Sequence, residues 1–214
     1  MDILDKYHLK EWWLQALTPS QREQIANNYG IYQNVDNTYF SDGAGKLGLL
    51  ITLSNIALPP AKEILKTKAE SELFQCYKST NSNLIDMHLA LASLIKHYYS
   101  LRANLEHYEK AKELCKMQIA LASQTAAKFK HPKPPDNGIN LDNLRDVLGH
   151  NLPYYDEPQM LPSHTGYKQL AIILEKEGDI EGALRLSKQA LKQGWTDNYE
   201  KRIDKLNKKL MKIK

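Results

Sequence analysis

Residues 167–195, "YKQLAIILEKEGDIEGALRLSKQALKQGW", are the stretch that decides the predicted fold of this 214-residue chain. The first part places Tyr167, Leu170, Ala171 and Leu174 on one face of a helix. The second part, residues 180–194, aligns without gaps with residues 108–122, "YEKAKELCKMQIALA". The two segments share Glu, Ala, Leu and Lys at four equivalent positions. The chain therefore contains an internal repeat of helical segments.

The same stretch resembles the tetratricopeptide repeat, a helix-turn-helix unit of about 34 residues. Tyr167 stands at the aromatic position of that pattern, and Leu170 and Ala171 stand at its Leu-Gly pair. The resemblance implies that Gly178 and Asp179 form the turn between the two helices. The other matches are Leu174 at the next aromatic position, Ala183 and Ala190 at the small positions, and Trp195 at the closing proline, whereas Ser187 departs from an aromatic.

The resemblance also implies a binding site. In this family the first helix of each repeat lines a concave groove, and Lys168 and Ile172 lie on a second face of that helix, away from its core stripe. We therefore predict a partner-binding groove formed by Lys168, Ile172, His164 and Glu175. Family members that clamp a peptide carboxylate have Asn where this chain has Ile172, so that specificity is not expected. The alternative is that Ile172 packs beneath a neighbouring segment.

The implied fold class is all-α, with tetratricopeptide-like helical hairpins forming an α-solenoid. Additional N-terminal helices at 1–80 precede a repeat region at 81–214, whose earlier and less regular copy covers about 84–122. Residues 130–163 form an insertion that holds six of the nine prolines. We expect an ordered flap there, with disorder as the alternative. The layout as a whole resembles a recurrent type of bacterial repeat protein.

Helix signals also fill the N-terminal region. Thr18 is predicted to cap a helix whose first residue is Pro19, with Gln21 completing a capping box. This helix is expected to run to about Asn28, with Gly30 stopping it. Two further helices are predicted near residues 45–57 and 60–77, separated by the break at Pro59 and Pro60.

The segment "GAGKLG" at residues 43–48 has the spacing of a dinucleotide-binding glycine loop. A buried strand should precede such a loop, but the preceding residues "NVDNTYFSD" are polar and turn-forming. A phosphate-binding loop is excluded because Leu47 replaces the required Ser or Thr. We therefore expect a loop that leads into a helix and assign no cofactor. A weak anion site at the helix N-terminus, with Lys46 as counter-charge, stays open.

The C-terminal segment carries the net charge. Residues 196–214 contain seven basic and three acidic residues, which accounts for the whole net charge of +4. Apolar residues spaced 4, 3, 4 and 3 apart form one stripe of a helix that either caps the repeats or zips two chains together. The stripe consists of Tyr199, Ile203, Leu206, Leu210 and Ile213. The basic residues could instead bind nucleic acid.

No catalytic or metal-binding motif stands out. No two of the seven histidines are four residues apart, and no nucleophile is paired with a base by a recognised motif. A metal site is conceivable only around residues 146–157, at Asp146, His150, Asp156 and Glu157.

These features predict a non-enzymatic interaction module that binds a protein or peptide through the helical-repeat groove. A nucleic-acid-associated regulator acting through the basic C-terminal helix is the alternative, and a small-molecule enzyme comes last. We expect no cofactor. We also expect no membrane association, because the longest apolar stretch is too short to cross a bilayer. The absence of a leader pattern and the two distant cysteines, Cys76 and Cys115, favour the cytoplasm.

Overall fold

The computed structural model describes residues 3–33, 45–79, 83–131, 145–147 and 158–213. These residues are almost entirely helical and include no β-strand, which confirms the predicted all-α class. One isolated bridge joins Leu161 and Trp195. None of the helices in the described ranges combines the length and apolar character that a membrane crossing requires.

The chain divides into an N-terminal unit, Met1–Leu94, and a C-terminal unit, Ile95–Lys214. The sequence placed a boundary at residue 80, before the repeat region. The two compact units meet within helix α6 (Leu84–Ser100), and the predicted boundary stays a prediction.

The N-terminal unit contains five helices before α6 in its described part. They are α1 (Ile3–Lys6), α2 (Lys10–Ala16), α3 (Pro19–Gln33), α4 (Lys46–Ile56) and α5 (Ala61–Lys78). The predicted helices at 45–57 and 60–77 correspond to α4 and α5, which pack against each other. The core consists of fully buried aliphatic side chains contributed by most of these helices, including Leu9, Ile25, Leu50, Leu53, Leu65, Leu73 and Leu91.

Helix α3 begins as the sequence predicts and ends later. The Thr18 hydroxyl accepts from the Gln21 backbone N–H at 3.3 Å, and the Gln21 side chain accepts from the Thr18 N–H at 2.9 Å. This reciprocal pair confirms the capping box. The predicted stop at Gly30 is wrong, because α3 continues to Gln33. A single glycine weakens a helix by about 1 kcal/mol but does not by itself end it.

The C-terminal unit holds the end of α6 and five further helices in the described residues. These are α7 (Leu105–Ala120), α8 (Ala122–Lys130), α9 (Thr165–Glu177), α10 (Ile180–Gln193) and α11 (Tyr199–Ile213). Helix α9 packs on both α7 and α10, and α10 packs in turn on α11. Most of the Pro-rich insertion, at 132–144 and 148–157, lies outside the described residues, as does the flap expected there.

The hairpin of α9 and α10 closes at the predicted turn. Gly178 adopts a left-handed conformation with φ of 90°, which glycine reaches without steric cost. Asp179 caps the next helix, because its side chain accepts from the Gly182 N–H at 2.7 Å. Ala183 and Ala190 are completely buried, as the resemblance to the repeat implied. This turn is encoded locally, by one glycine and one capping carboxylate.

The contact between α7 and α9 depends on Gly166. A Cβ atom at this position would lie 2.9 Å from both the Cys115 carbonyl oxygen and Gln118 Oε1. The Gly166 N–H also donates to Gln118 Oε1 at 2.6 Å. There is therefore no room for a side chain between these two helices.

Replacing this glycine should separate the two helices. We expect Gly166→Ala to lower the free energy of unfolding by about 1–3 kcal/mol, because the clash involves backbone and overpacking costs are of this size. Chemical denaturation followed by circular dichroism measures the change. Ala120→Ser, which adds an atom at an exposed position in the last turn of α7, is the control and should change the free energy of unfolding by about 0.5 kcal/mol or less. A fully stable Gly166→Ala variant would contradict the close packing of α7 and α9.

Candidate binding surface on the C-terminal helix

The predicted groove face of α9 is not open along its whole length. His164 is completely buried, and its Nδ1 accepts from the Tyr167 N–H at 3.2 Å, so the ring caps the helix. The ring also packs edge-on against Trp195, with centroids 4.6 Å apart. His164 is therefore not exposed to a partner on this face. Its capping role and its aromatic neighbours keep it away from a partner.

Glu175, at the other end of the same face, is bound within the chain. Its carboxylate accepts from Arg202 at 2.8 Å and from Lys209 at 2.6 Å, and it lies 3.1 Å from the ammonium of Lys205. All three cations belong to α11. The Glu175 side chain is only 10% exposed, so the C-terminal helix occupies the place where a partner was expected.

The two remaining groove residues lie between these ends. Lys168 has a side chain that is 54% exposed and pairs with Asp197, in the link before α11, at 3.0 Å. Ile172 is half-buried. Lys168 and Ile172 thus stay candidates for partner contact. The two charged side chains of this face are already paired, Glu175 with α11 and Lys168 with the link before α11.

The charges around Glu175 explain its acidity. Burial alone would raise the pKa of this carboxyl, but the hydrogen bonds from Lys209 and Lys205 and the charge of Arg202 outweigh burial and hold its pKa below the ordinary value. A carboxylate whose folded-state pKa is depressed stabilises the fold above its unfolded pKa. That stability is lost as the pH falls through the folded value.

Glu175→Gln should therefore destabilise the C-terminal unit at pH 7 by roughly 1 kcal/mol, a modest effect because Lys205 and Lys209 are exposed enough to be screened. The difference between the variant and the wild type should shrink as the pH falls below the ordinary glutamate pKa of 4.5, where the unfolded chain becomes protonated, and should vanish once the folded carboxylate is protonated at lower pH. Denaturant titrations at several pH values measure it. Glu113→Gln, in an exposed pair with Lys110, is the control and should change little. A pH-independent difference would contradict the ionic role of Glu175.

The outward side of α11 forms a continuous basic surface, which we name the lysine face. Its four lysines are spaced 4, 3 and 4 residues apart, so they fall within about 60° of one another around the helix. They lie opposite the buried stripe that contains Tyr199 and Leu206. The lysine face consists of Lys201, Lys205, Lys208 and Lys212. Together with Asp204 and Lys209, they line an open depression of about 450 Å³.

The basic residues of α11 divide into two groups. Arg202, Lys205 and Lys209 hold Glu175 and so attach the helix to α9. Within the part of the chain that the structure describes, Lys201, Lys208 and Lys212 form no ion pair and are exposed. The first group stabilises the fold, and the second leaves positive charge available to a partner.

At the end of the glycine loop, the groups that could bind a ligand are bound within the chain. Residues 34–44 lie outside the described part, but Gly45 caps α4, and its N–H donates to the Asp86 carboxylate at 3.1 Å. Lys46, the proposed counter-charge, pairs with the buried Glu72 at 2.9 Å. The chain's own carboxylates thus bind both groups, so the described residues lend no support to an anion site there.

The structure also describes the two cysteines and part of the metal site considered from the sequence. Both cysteines are free thiols, and burial raises the pKa of Cys115 to about 12, so this thiol stays protonated and unreactive. Across the described ranges, no three His, Cys, Asp or Glu side chains are grouped to hold a metal ion. Of the four residues considered for a metal, only Asp146 lies in those ranges.

Comparisons with protein-family models, with curated proteins and with solved structures found no match to this chain.

Proposed function

We propose that the C-terminal unit is a non-enzymatic interaction module that binds an acidic segment of another protein at the lysine face of α11. The observation that carries the proposal is that Lys201, Lys208 and Lys212 are exposed and make no ion pair with the described residues. Like charges held on one face repel one another, and a partner's carboxylates relieve that repulsion. The partner class is the one expected from sequence, but the surface differs from the predicted groove.

The size of the lysine face indicates the partner's form. From Lys201 to Lys212 the helix rises about 16 Å, at about 1.5 Å per residue. An acidic helix with carboxylates at the same spacing would present four negative charges over that length. The helix-in-groove mode of peptide recognition also uses anchors at this spacing.

Nucleic acid is the second candidate, because the same basic face could neutralise phosphates. Two features make it weaker. Base recognition and stacking commonly use Arg or aromatic side chains, but the lysine face has neither, and the one nearby Arg202 is held by Glu175. Asp204, at the edge of the face, would also repel phosphate.

We also propose that the C-terminal unit is a tetratricopeptide-like repeat with α11 as its capping helix. Support comes from the Gly178–Asp179 turn, from the buried Ala183 and Ala190, and from the packing of α7 on α9 across the insertion.

We further propose that the protein is cytoplasmic, because the free thiols of Cys76 and Cys115 suit a reducing compartment.

Fluorescence anisotropy with three labelled probes tests the partner class. The probes are a helical peptide with Glu at positions i, i+4, i+7 and i+11, the same peptide with Gln at those positions, and a 12-nucleotide single strand. We expect the Glu peptide to bind most tightly, with an affinity that falls as salt increases. Equal binding of the Gln peptide would exclude charge recognition, and tighter binding of the single strand would favour the nucleic-acid alternative.

A further inference from the structure

The N-terminal unit contains a buried lysine that the interaction function does not use. Lys66, on α5, is only 3% exposed. Its Nζ donates to Asn55 Oδ1, on α4, at 3.1 Å and to Ser93 Oγ, on α6, at 2.5 Å. The Ser93 hydroxyl donates to the same Asn55 oxygen at 3.3 Å. Three helices thus bring an amine, a hydroxyl and an amide into one hydrogen-bonded group.

The surroundings of Lys66 favour its neutral form. Burial, with a smaller contribution from the charge of Lys62, lowers the pKa of Lys66 from 10.5 to about 8, and Glu63 opposes the shift. Both charged groups lie on α5 itself, whereas α4 and α6 present the uncharged Asn55 and Ser93. At pH 7 about a tenth of Lys66 is therefore an unprotonated amine, a far larger fraction than for an ordinary lysine.

Acyl transfer requires a base that is shielded from water and a nucleophile that a substrate can reach. Lys66 is shielded from water, whereas Ser93 is half-buried and Asn55 is exposed. A neutral lysine beside a serine hydroxyl is one of the base and nucleophile pairs known to activate serine. We propose that Ser93 is a nucleophile for acyl transfer from small esters, with Lys66 as its general base and Asn55 as a positioning residue.

The proposed reaction balances with these groups alone. On losing a proton, Lys66 keeps one N–H on Asn55 and turns its lone pair to Ser93 Oγ, and the Ser93 hydroxyl rotates its proton from Asn55 to Lys66. Ser93 Oγ attacks the ester carbonyl carbon while its proton passes to Lys66 Nζ. The adduct collapses by breaking the bond to the leaving oxygen, which takes that proton and departs as an alcohol. Water then attacks the acyl group with Lys66 again as base, which releases a carboxylic acid and restores Ser93.

The substrate class follows from how easily the leaving group departs. Lys66 is the one proton-transfer group within hydrogen-bonding distance of Ser93 among the described residues, and it is a weak acid for protonating a leaving amine. An amide needs strong protonation of its leaving amine, whereas an ester with an acidic leaving alcohol does not. The site therefore suits activated esters better than peptide bonds.

A fluorophosphonate probe tests this proposal on the full-length protein. We expect one covalent adduct, placed on Ser93 by peptide mass spectrometry, and a labelling rate that rises with pH about a midpoint near 8. Lys66→Met should lower that rate at least about 100-fold, the lower range for general-base catalysis. Lys66→Arg should lower it similarly, because arginine keeps the charge but cannot act as a base.

Two controls separate catalysis from damage to the fold. Lys78→Met replaces an exposed lysine at the end of α5 and should label like the wild type, and Ser71, exposed on the same helix, should carry no adduct. Because the pH profile uses the wild-type protein, the test does not depend on the stability of any variant. Absence of an adduct on Ser93, or a rate independent of pH and of Lys66, would overturn the proposal.

Discussion

Ending the chain at Trp195 should destabilise the C-terminal unit severely, because α11 completes two clusters of its core. Tyr199, 1% exposed, packs in the cluster that contains Tyr167 and Trp195. Leu206, completely buried, packs with Ala171, Ala183 and their neighbours. Losing two such side chains costs about 3–6 kcal/mol, at about 1.5–3 kcal/mol each, which is a large part of the stability of a typical domain.

Thermal unfolding and the binding of a hydrophobic dye measure this effect. We expect the melting temperature to fall by more than about 10 °C and dye binding to rise, because apolar surface of α9 and α10 becomes exposed. The truncated protein also leaves Glu175 without its three cations. A truncated chain of unchanged stability that converts from dimer to monomer would instead show that α11 joins two chains.

A matched pair of substitutions gives a graded form of this result. Leu206→Ala should cost about 2–5 kcal/mol, the range for removing a buried leucine. Met211→Ala, in the same helix but 78% exposed, should cost about 0.5 kcal/mol or less. Similar effects from the two substitutions would mean that α11 does not pack on the core through Leu206.

Reversing three charges of the lysine face should abolish most binding of an acidic peptide. The triple variant Lys201→Glu, Lys208→Glu and Lys212→Glu leaves intact the cations that hold Glu175, so the fold should change little. Each exposed ion pair contributes about 0.2–1 kcal/mol, and each reversal adds repulsion. We therefore expect an affinity loss of at least tenfold, or about 1.4 kcal/mol.

A second triple variant has the same net charge as the first one but changes a different surface. Lys116, Lys188 and Lys192 are exposed on α7 and α10, and their replacement by Glu gives the same total charge. Isothermal titration of both variants at one salt concentration compares them. Equal losses of affinity would mean that net charge, and not the lysine face, attracts the peptide.

The parts of the fold that the sequence predicted are those encoded by neighbouring residues. The capping box of Thr18 and Gln21 and the turn at Gly178 and Asp179 depend on groups within three residues of one another. The spacing of Tyr199 and Leu206 likewise predicted a buried stripe, which the structure confirms. The Gly30 stop failed because glycine ends a helix only where the backbone turns left-handed, as it does at Gly178.

The candidate sites were harder to predict because they depend on distant parts of the chain. Helical spacing predicted one face for His164, Lys168, Ile172 and Glu175, but it could not show that α11 would pair with Glu175 on that face. The carboxylate of Glu175 meets Lys209, 34 residues later. Lys66 and Ser93 are 27 residues apart and match no short motif. The alternation of lysines with the buried stripe was visible in the sequence and could have identified the lysine face.

Mapping the contact surface of a bound acidic peptide tests the central claim most directly. Backbone amide NMR shifts of the protein should change on addition of the Glu peptide, with the largest changes at Lys201, Lys208 and Lys212 and little change at Lys168 and Ile172. Addition of the Gln peptide should produce no such pattern. Largest changes at Lys168 and Ile172, with α11 unperturbed, would contradict the lysine face and restore the groove of α9 as the binding site.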